Sequence, residues 1–238
     1  TPGHADFGGE VERSLSMVDS VLLLVDAVEG PMPQTRFVTK KAFENSLNPI
    51  VMVNKVDRDG ARPHWVVDQV LDMFDELGAT EEQLDFPVIY GSAILGRAGH
   101  DADDLGDDLS CLLEVISQQV KPPDANPDGP LQMQISALDY NSYMGIIGLG
   151  RIIRGCIETG AQVSVVARGG AERKGRILQV LGYQGLERAP IDGASAGDIV
   201  CITGLEGLKI SDTICASGHV EALPPLEVDE PTISMTFQ

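Results

Sequence analysis

The sequence predicts an α/β layer followed by an all-β barrel, and three observations carry that prediction. Short aliphatic runs alternate with helical patterns over the first half of the chain. Strict apolar/polar alternation broken by glycines takes over in the second half, and a proline-rich stretch lies between the two. Fully apolar runs mark strands buried on both faces of a parallel sheet, whereas alternation marks half-buried antiparallel strands.

In the first half the runs are Val21-Leu22-Leu23-Leu24-Val25, Pro49-Ile50-Val51-Met52-Val53 and Pro87-Val88-Ile89-Tyr90. Between the last two, Val67, Val70, Leu71 and Phe74 recur at helical spacing, with Asp68, Asp72, Asp75 and Glu76 on the opposite face and Gly78 at the C-terminal cap. Leu109, Leu112, Leu113, Ile116 and Val120 repeat the pattern, and Val11, Leu15 and Val18 do so more weakly. Alternation of strand and helix gives an α/β layer. Asp101, Asp103, Asp104, Asp107 and Asp108 match no calcium-loop spacing and are expected to form a solvated acidic loop. Lys121 to Pro130 carries four prolines and no apolar period, so it reads as a linker. Beyond it, Leu131-Gln132-Met133-Gln134-Ile135, Gln162-Val163-Ser164-Val165 and Ile199-Val200-Cys201-Ile202 are short strands punctuated by glycines, the mark of a small β-barrel. Gly148 and Gly150 fall among these strands, without a third glycine at dinucleotide-fingerprint spacing, and read as bulge or packing positions. The expected domains are therefore 1–120, a linker at 121–130, a barrel at 131–228 and the first strand of a third domain at 229–238.

Composition narrows the function classes. The 238 residues are 43% hydrophobic and 22% charged, ordinary for a folded protein, and only 5% aromatic, so the core is aliphatic. A net charge of −19 argues against a nucleic-acid module held by its overall charge. Most of that charge, −15, precedes residue 131; the second half carries −4 and contains a locally basic stretch, Arg151, Arg154, Arg168, Arg173, Lys174, Arg176 and Arg188 against Glu158, Glu172 and Glu187. A solvated barrel face fits it. Cys111, Cys156, Cys201 and Cys215 form no C-x-x-C pair, and His64, His100 and His219 share no ligand spacing, so neither zinc nor a disulfide framework is expected, and a reducing cytoplasm fits. No run approaches a membrane span, and neither a membrane nor DNA is an expected partner.

Chemistry concentrates at strand ends. Asn54-Lys55-Val56-Asp57 follows the second aliphatic strand, where open α/β sheets place their ligands. A carboxylate at Asp57 matches the paired N1–H and N2–H donors of guanine and is repelled by adenine's N1 acceptor. Asn54 can bond the neighbouring edge or tie loops together, and the methylenes of Lys55 can cover the ring face. Gly91-Ser92-Ala93 follows the third strand; its small residues permit close approach, and an amide there can donate to guanine O6. Thr1-Pro2-Gly3-His4 precedes a helix, so the Gly3 amide can face a phosphate oxygen with His4 near an attacking water. Each string alone also fits an ordinary turn; their order along the chain is the specific signal.

That order resembles the translational GTPases. Thr1 to Arg13 resembles their third nucleotide motif, Asn54-Lys55-Val56-Asp57 the fourth and Gly91-Ser92-Ala93 the fifth. Gly30-Pro31-Met32-Pro33-Gln34-Thr35-Arg36-Phe37-Val38, Asp139-Tyr140-Asn141-Ser142-Tyr143 and Ala196-Gly197-Asp198-Ile199-Val200 are similar to the ribosome-associated BipA/TypA family rather than to elongation factor G or LepA. The resemblance runs from end to end and implies part of a P-loop-type GTPase domain followed by the translation-factor second-domain barrel, with Glu230-Pro231-Thr232 opening a third. It implies GTP/GDP and Mg²⁺ as ligands, with His4 orienting the hydrolytic water, Gly3 on the γ-phosphate, Asn54, Lys55 and Asp57 on guanine, and Ser92 and Ala93 on the closing base loop. The motif's leading Asp, which reaches Mg²⁺, would lie immediately before Thr1, and the phosphate loop and first switch are absent from the sequence. The resemblance further implies ribosomal RNA and ribosomal proteins as partners, and a role in ribosome assembly or in translation under stress. Two readings stay open on the residues: a ribosome-dependent GTPase, with elongation factor G or LepA as its runner-up, and a non-catalytic interaction module. The polypeptide alone is expected neither to bind GTP tightly nor to hydrolyse it.

Overall fold

A computed structural model describes residues 8–226. The expectations on Gly3, His4 and the 229–238 strand lie outside these residues. The chain divides into two compact units, one containing Val18–Pro122 and the other joining Gly8–Met17 to the residues from Pro123 onward.

The first unit is a four-stranded sheet. β1 (Ser20–Asp26), β2 (Asn48–Asn54) and β3 (Val88–Ser92) run parallel, and β4 (Arg97–Gly99) turns back antiparallel on β3. β2 is central, and its five residues Pro49–Val53 are all buried, as a run without alternation requires. The helices are α2 (Pro33–Glu44), α3 (Pro63–Glu76), the short α4 (Glu81–Leu84) and α5 (Ser110–Gln119). On one face Leu23, Val25, Val51 and Val53 pack with Val66, Val70, Met73 and Phe74; on the other, Ile50, Met52 and Ile89 pack with Leu112 and Val115.

Two expected helix faces are rotated. The buried stripe of α3 is Val66, Val70, Met73 and Phe74, with Leu71 exposed; that of α5 is Leu112 and Val115, with Leu113 exposed. Both patterns contain more apolar residues than one stripe needs, so periodicity fits either register, and contact with the sheet chooses between them. Gly78 does end α3: at φ +75° its N–H donates to Asp75 O at 2.9 Å while Ala79 N–H donates to Phe74 O at 3.1 Å.

The second unit is antiparallel throughout its main sheet. β5 (Gln132–Asn141), β6 (Gly145–Arg154), β8 (Gln162–Val166), β9 (Glu172–Arg176), β10 (Gln179–Gln184), β11 (Glu187–Ile191), β13 (Ile199–Thr203) and β14 (Thr213–Ala216) form one sheet in the order β11-β10-β13-β6-β5-β14-β8-β9. The two short strands β7 (Cys156–Glu158) and β12 (Gly193–Ser195) pair separately. Edge strand β9 ends at Arg176 and β10, near the opposite edge, begins at Gln179. The two-residue step Ile177–Leu178 therefore wraps the sheet around its core of Met133, Ile135, Ile152, Val165, Val180, Ile202 and Ile214. Gly150 sits beside a bulge between Ile135 and Ala137, where a Cβ would collide with the Gln134 carbonyl oxygen. The packing and bulge reading of these glycines holds.

Helix α1 (Gly8–Leu15) buries Val11 and Leu15 and groups with this second unit, where its end is held by Arg151 Nη1 donating to Met17 O at 3.2 Å. Part of the proline-rich segment also lies along the barrel: Gly155 N–H donates to Asn126 O at 2.8 Å and Arg154 Nε to Pro130 O at 3.1 Å.

Candidate functional site

Parallel pairing brings three strand ends side by side. Asp26 at the end of β1 is in register with Asn54 at the end of β2, and Asn54 with Gly91 near the end of β3. The backbone continues the ladder past the strands, Ala27 N–H donating to Asn54 O at 2.8 Å and Val56 N–H to Gly91 O at 3.3 Å. All three loops thus leave the carboxyl edge of the sheet together.

Asn54 is the tie between two of them. Its Oδ1 accepts from Ala93 N–H at 3.0 Å and from Lys55 N–H at 2.9 Å, which fixes the loop after β3 to the loop after β2. Of the two sequence-level options for Asn54, the tie is the one formed here. Lys55 occupies the left-handed region at φ +66°, unusual for a residue with a side chain. Its Nζ reaches Asp26 Oδ2 at 2.6 Å, with Arg58 Nη1 at 3.6 Å from the same oxygen. The other oxygen, Oδ1, accepts from Val28 N–H at 2.8 Å and Glu29 N–H at 3.3 Å. The Lys55 hydrogen bond foremost, helped by these amides and opposed by burial, holds the Asp26 carboxyl below the usual carboxylate range. Asp57 is exposed, and among the described residues its carboxylate makes no hydrogen bond or ion pair.

The loop after β3 differs from its sequence reading in detail. Ser92 is fully buried, and its Oγ accepts from Leu95 N–H at 3.3 Å, so the hydroxyl braces the loop from below. The Ala93 amide is occupied by Asn54. Gly91 is small because β4 crosses it closely: a Cβ would lie 2.9 Å from Arg97 O. Its size serves the packing of the hairpin against Met52 and Arg97. Asp26 was not singled out from sequence: its local signal is an acid that closes an aliphatic run, and the register with Asn54 that gives it a role is set by the sheet.

In the barrel the basic stretch is largely engaged. Arg173 Nη2 meets Asp212 Oδ2 at 3.0 Å, Arg188 Nη1 meets Asp139 Oδ2 at 2.6 Å, Arg154 Nη2 meets Glu221 Oε2 at 2.6 Å, and Arg176 Nε donates to Gly160 O at 3.0 Å. Arg168 and Lys174 are the members of the stretch with no partner among the described residues. Asp101, Asp103, Asp104, Asp107 and Asp108 are all exposed, and Asp108 Oδ1 accepts from Ser110 N–H at 2.8 Å. No helix among them is long and apolar enough to cross a membrane.

Comparison with known proteins agrees with this geometry. The family model described as the elongation factor Tu GTP binding domain matches residues 1–122, and that described as elongation factor Tu domain 2 matches residues 145–215. The chain is 62% identical over 237 residues to the large ribosomal subunit assembly factor BipA of Escherichia coli K12, covering 100% of this chain and 39% of that protein. The protein of the same name from Haemophilus influenzae is 63% identical, covering 100% of this chain and 38% of its own length. That of Buchnera aphidicola is 57% identical, with 100% and 39% covered. The chain thus spans about two fifths of the length of the curated relatives it matches. With an α/β nucleotide-type unit, a second-domain barrel and both motifs at the strand ends, the chain belongs to the elongation factor Tu type of GTP-binding family, on its BipA/TypA branch.

Proposed function

We propose that this chain supplies the guanine-reading half of a GTP-hydrolysing, ribosome-associated factor that acts in ribosome assembly or in translation under stress. The observation that carries the reading is the Asn54–Ala93 tie at the carboxyl edge of the sheet, with the Asp57 carboxylate exposed and unpaired two residues after Lys55. Asp57 accepts from guanine N1–H and N2–H, the Lys55 stem covers the ring, and Asn54 with Ser92 and Ala93 fixes the loop that closes on the base. In the same reading Gly3 donates its amide to the γ-phosphate and His4 orients the hydrolytic water. GTP and GDP are the ligands, and Mg²⁺ would neutralise the phosphates. Among the described residues no group of His, Cys, Asp or Glu is placed to hold Mg²⁺, and the Asp26 carboxylate at this edge is engaged by Lys55 and Arg58.

The 238 residues contain no G-x-x-x-x-G-K-[ST] string, so by themselves they have a base reader without a phosphate cradle. Phosphoryl transfer depends on positioning and charge neutralisation, and the chain alone is expected to bind GTP weakly and leave it intact. Micromolar binding of a fluorescent GTP analogue to this chain would refute that. Within the basic stretch, Arg168 and Lys174 are the bases without a partner among the described residues and so available for ribosomal RNA phosphates. The relatives are named large ribosomal subunit assembly factors, which supports the ribosome as a partner; ribosomal RNA and ribosomal proteins, in the cytoplasm, are the contacts this reading expects.

The deciding experiment is Asp57→Asn in the full-length protein. An amide presents a donor where the carboxylate presented an acceptor, which suits the 2-oxo group of xanthine. GDP affinity should fall by at least about a hundredfold and xanthosine diphosphate affinity should rise. Unchanged GDP affinity would sink the assignment.

A further inference from the structure

We propose that Asp26 is a positioning residue for the base reader: its carboxylate parks the Lys55 ammonium so that the lysine stem is already laid across the place of the purine ring. The inference rests on the guanine reading above and adds to it a residue that lies outside both nucleotide motifs. The two oxygens of Asp26 divide their work. Oδ1 holds the β1–α2 loop through Val28 and Glu29 N–H, while Oδ2 takes Lys55 Nζ at 2.6 Å. The Asp26 side chain is only 12% exposed, whereas that of Lys55 is 48% exposed. The carboxylate is therefore the fixed post and the lysine the arm tied to it.

An untied lysine of that exposure samples many rotamers, and binding a base beneath its stem would have to freeze them. Tying the ammonium in advance removes that loss, which is the general route by which preorganisation raises affinity. The loop bearing Asp26 is itself braced from α3. Arg62 N–H donates to Ala27 O at 2.8 Å and Arg62 Nη2 to Val28 O at 3.1 Å. The guanidinium lies 3.8 Å from the Trp65 ring centroid, and that ring packs on Gly30. Asp26 is thus held from two sides before any ligand arrives.

The test uses the full-length protein and a fluorescent GDP analogue, with wild type measured first. Asp26→Asn keeps an acceptor oxygen for the turn but loses the charge and the second acceptor for Lys55. It should weaken the analogue about three- to tenfold, the range expected from ordering one long side chain. The effect should fall on KM for GTP and leave kcat in place. Lys55→Met keeps an apolar stem without an ammonium, so adding Asp26→Asn to it should cause no further loss. Trp65 fluorescence, measured on the 238-residue chain, should be unaltered by Asp26→Asn. Wild-type affinity in Asp26→Asn, or an undiminished second loss in the Lys55→Met background, overturns the proposal while the guanine reading stands. A wild-type protein that fails to bind the analogue overturns both.

Discussion

Replacing Arg173 with Ala should destabilise the barrel unit by roughly 1–3 kcal/mol. The magnitude follows from the asymmetry of the ion pair. The Asp212 side chain is 1% exposed and its Oδ2 has two partners, Arg173 Nη2 and Lys209 N–H, each at 3.0 Å. Removing the arginine leaves a buried carboxylate with one neutral donor, and breaking a fully buried pair in this way costs about 3–5 kcal/mol. Arg173 is 37% exposed, so water screens part of the attraction and the lower range applies. Asp212 also anchors β-structure, since its carbonyl accepts from Ile135 N–H at 2.9 Å. A loss of about 2 kcal/mol in a unit of this size corresponds to a melting shift of roughly 10 °C. Hydrogen exchange of peptides spanning β5 and β14 in the whole chain reads the barrel directly, and Trp65, in the other unit, provides an internal control. Arg173→Lys should recover part of the loss. A variant within about 0.5 kcal/mol of wild type would show that the buried carboxylate does not depend on Arg173. The same pair decides how a charge reversal over Arg173, Lys174 and Arg176 is read: weakened ribosome binding there would mix lost phosphate contacts with a damaged barrel. Lys174→Glu with Arg168→Glu avoids the mixture.

Asn54→Ala should free the loop after β3, lowering stability by about 1 kcal/mol and weakening guanine nucleotides in the full-length protein; denaturant titration and nucleotide titration check the two effects. The Asp26 and Asp139 carboxyls are both held below their unfolded values, chiefly by Lys55 and Arg188. Their contribution is therefore complete above the unfolded carboxylate pKa of about 4 and is lost as pH falls through the lower folded values, so stability should drop on the acid side of pH 4 and the drop should shrink in Asp26→Asn. Gly150→Ala should distort the β5–β6 bulge because its Cβ has no space beside the Gln134 carbonyl, with a loss of about 2 kcal/mol or more by thermal melting.

Much of the fold was legible because its strands carry unambiguous periods. The uninterrupted runs at Val21–Val25 and Pro49–Val53 became the parallel strands β1 and β2, though only β2 is buried on both faces while β1 leaves Leu22 and Leu24 exposed, and the alternating run at 131–135 became the start of β5. Helix faces were less legible: α3 and α5 have spare leucines and valines, and nothing local says which of them meets the sheet. β4 is three residues long and carries no period of its own; it exists because Gly91 lets Arg97 come close.

The sequence by itself determined the order of motifs, the change from parallel to antiparallel structure, and the chemistry of Asn54, Lys55 and Asp57, because residue type and spacing fix donors, acceptors and periods. Only the tertiary structure decided what those groups do to one another. Strand register set Asp26 beside Asn54, handed the Ala93 amide to Asn54 and the Lys55 ammonium to Asp26, and buried Asp212 against Arg173. These partners lie 28 to 39 residues apart in the chain, and no local pattern encodes a pairing whose members meet only when the sheet forms.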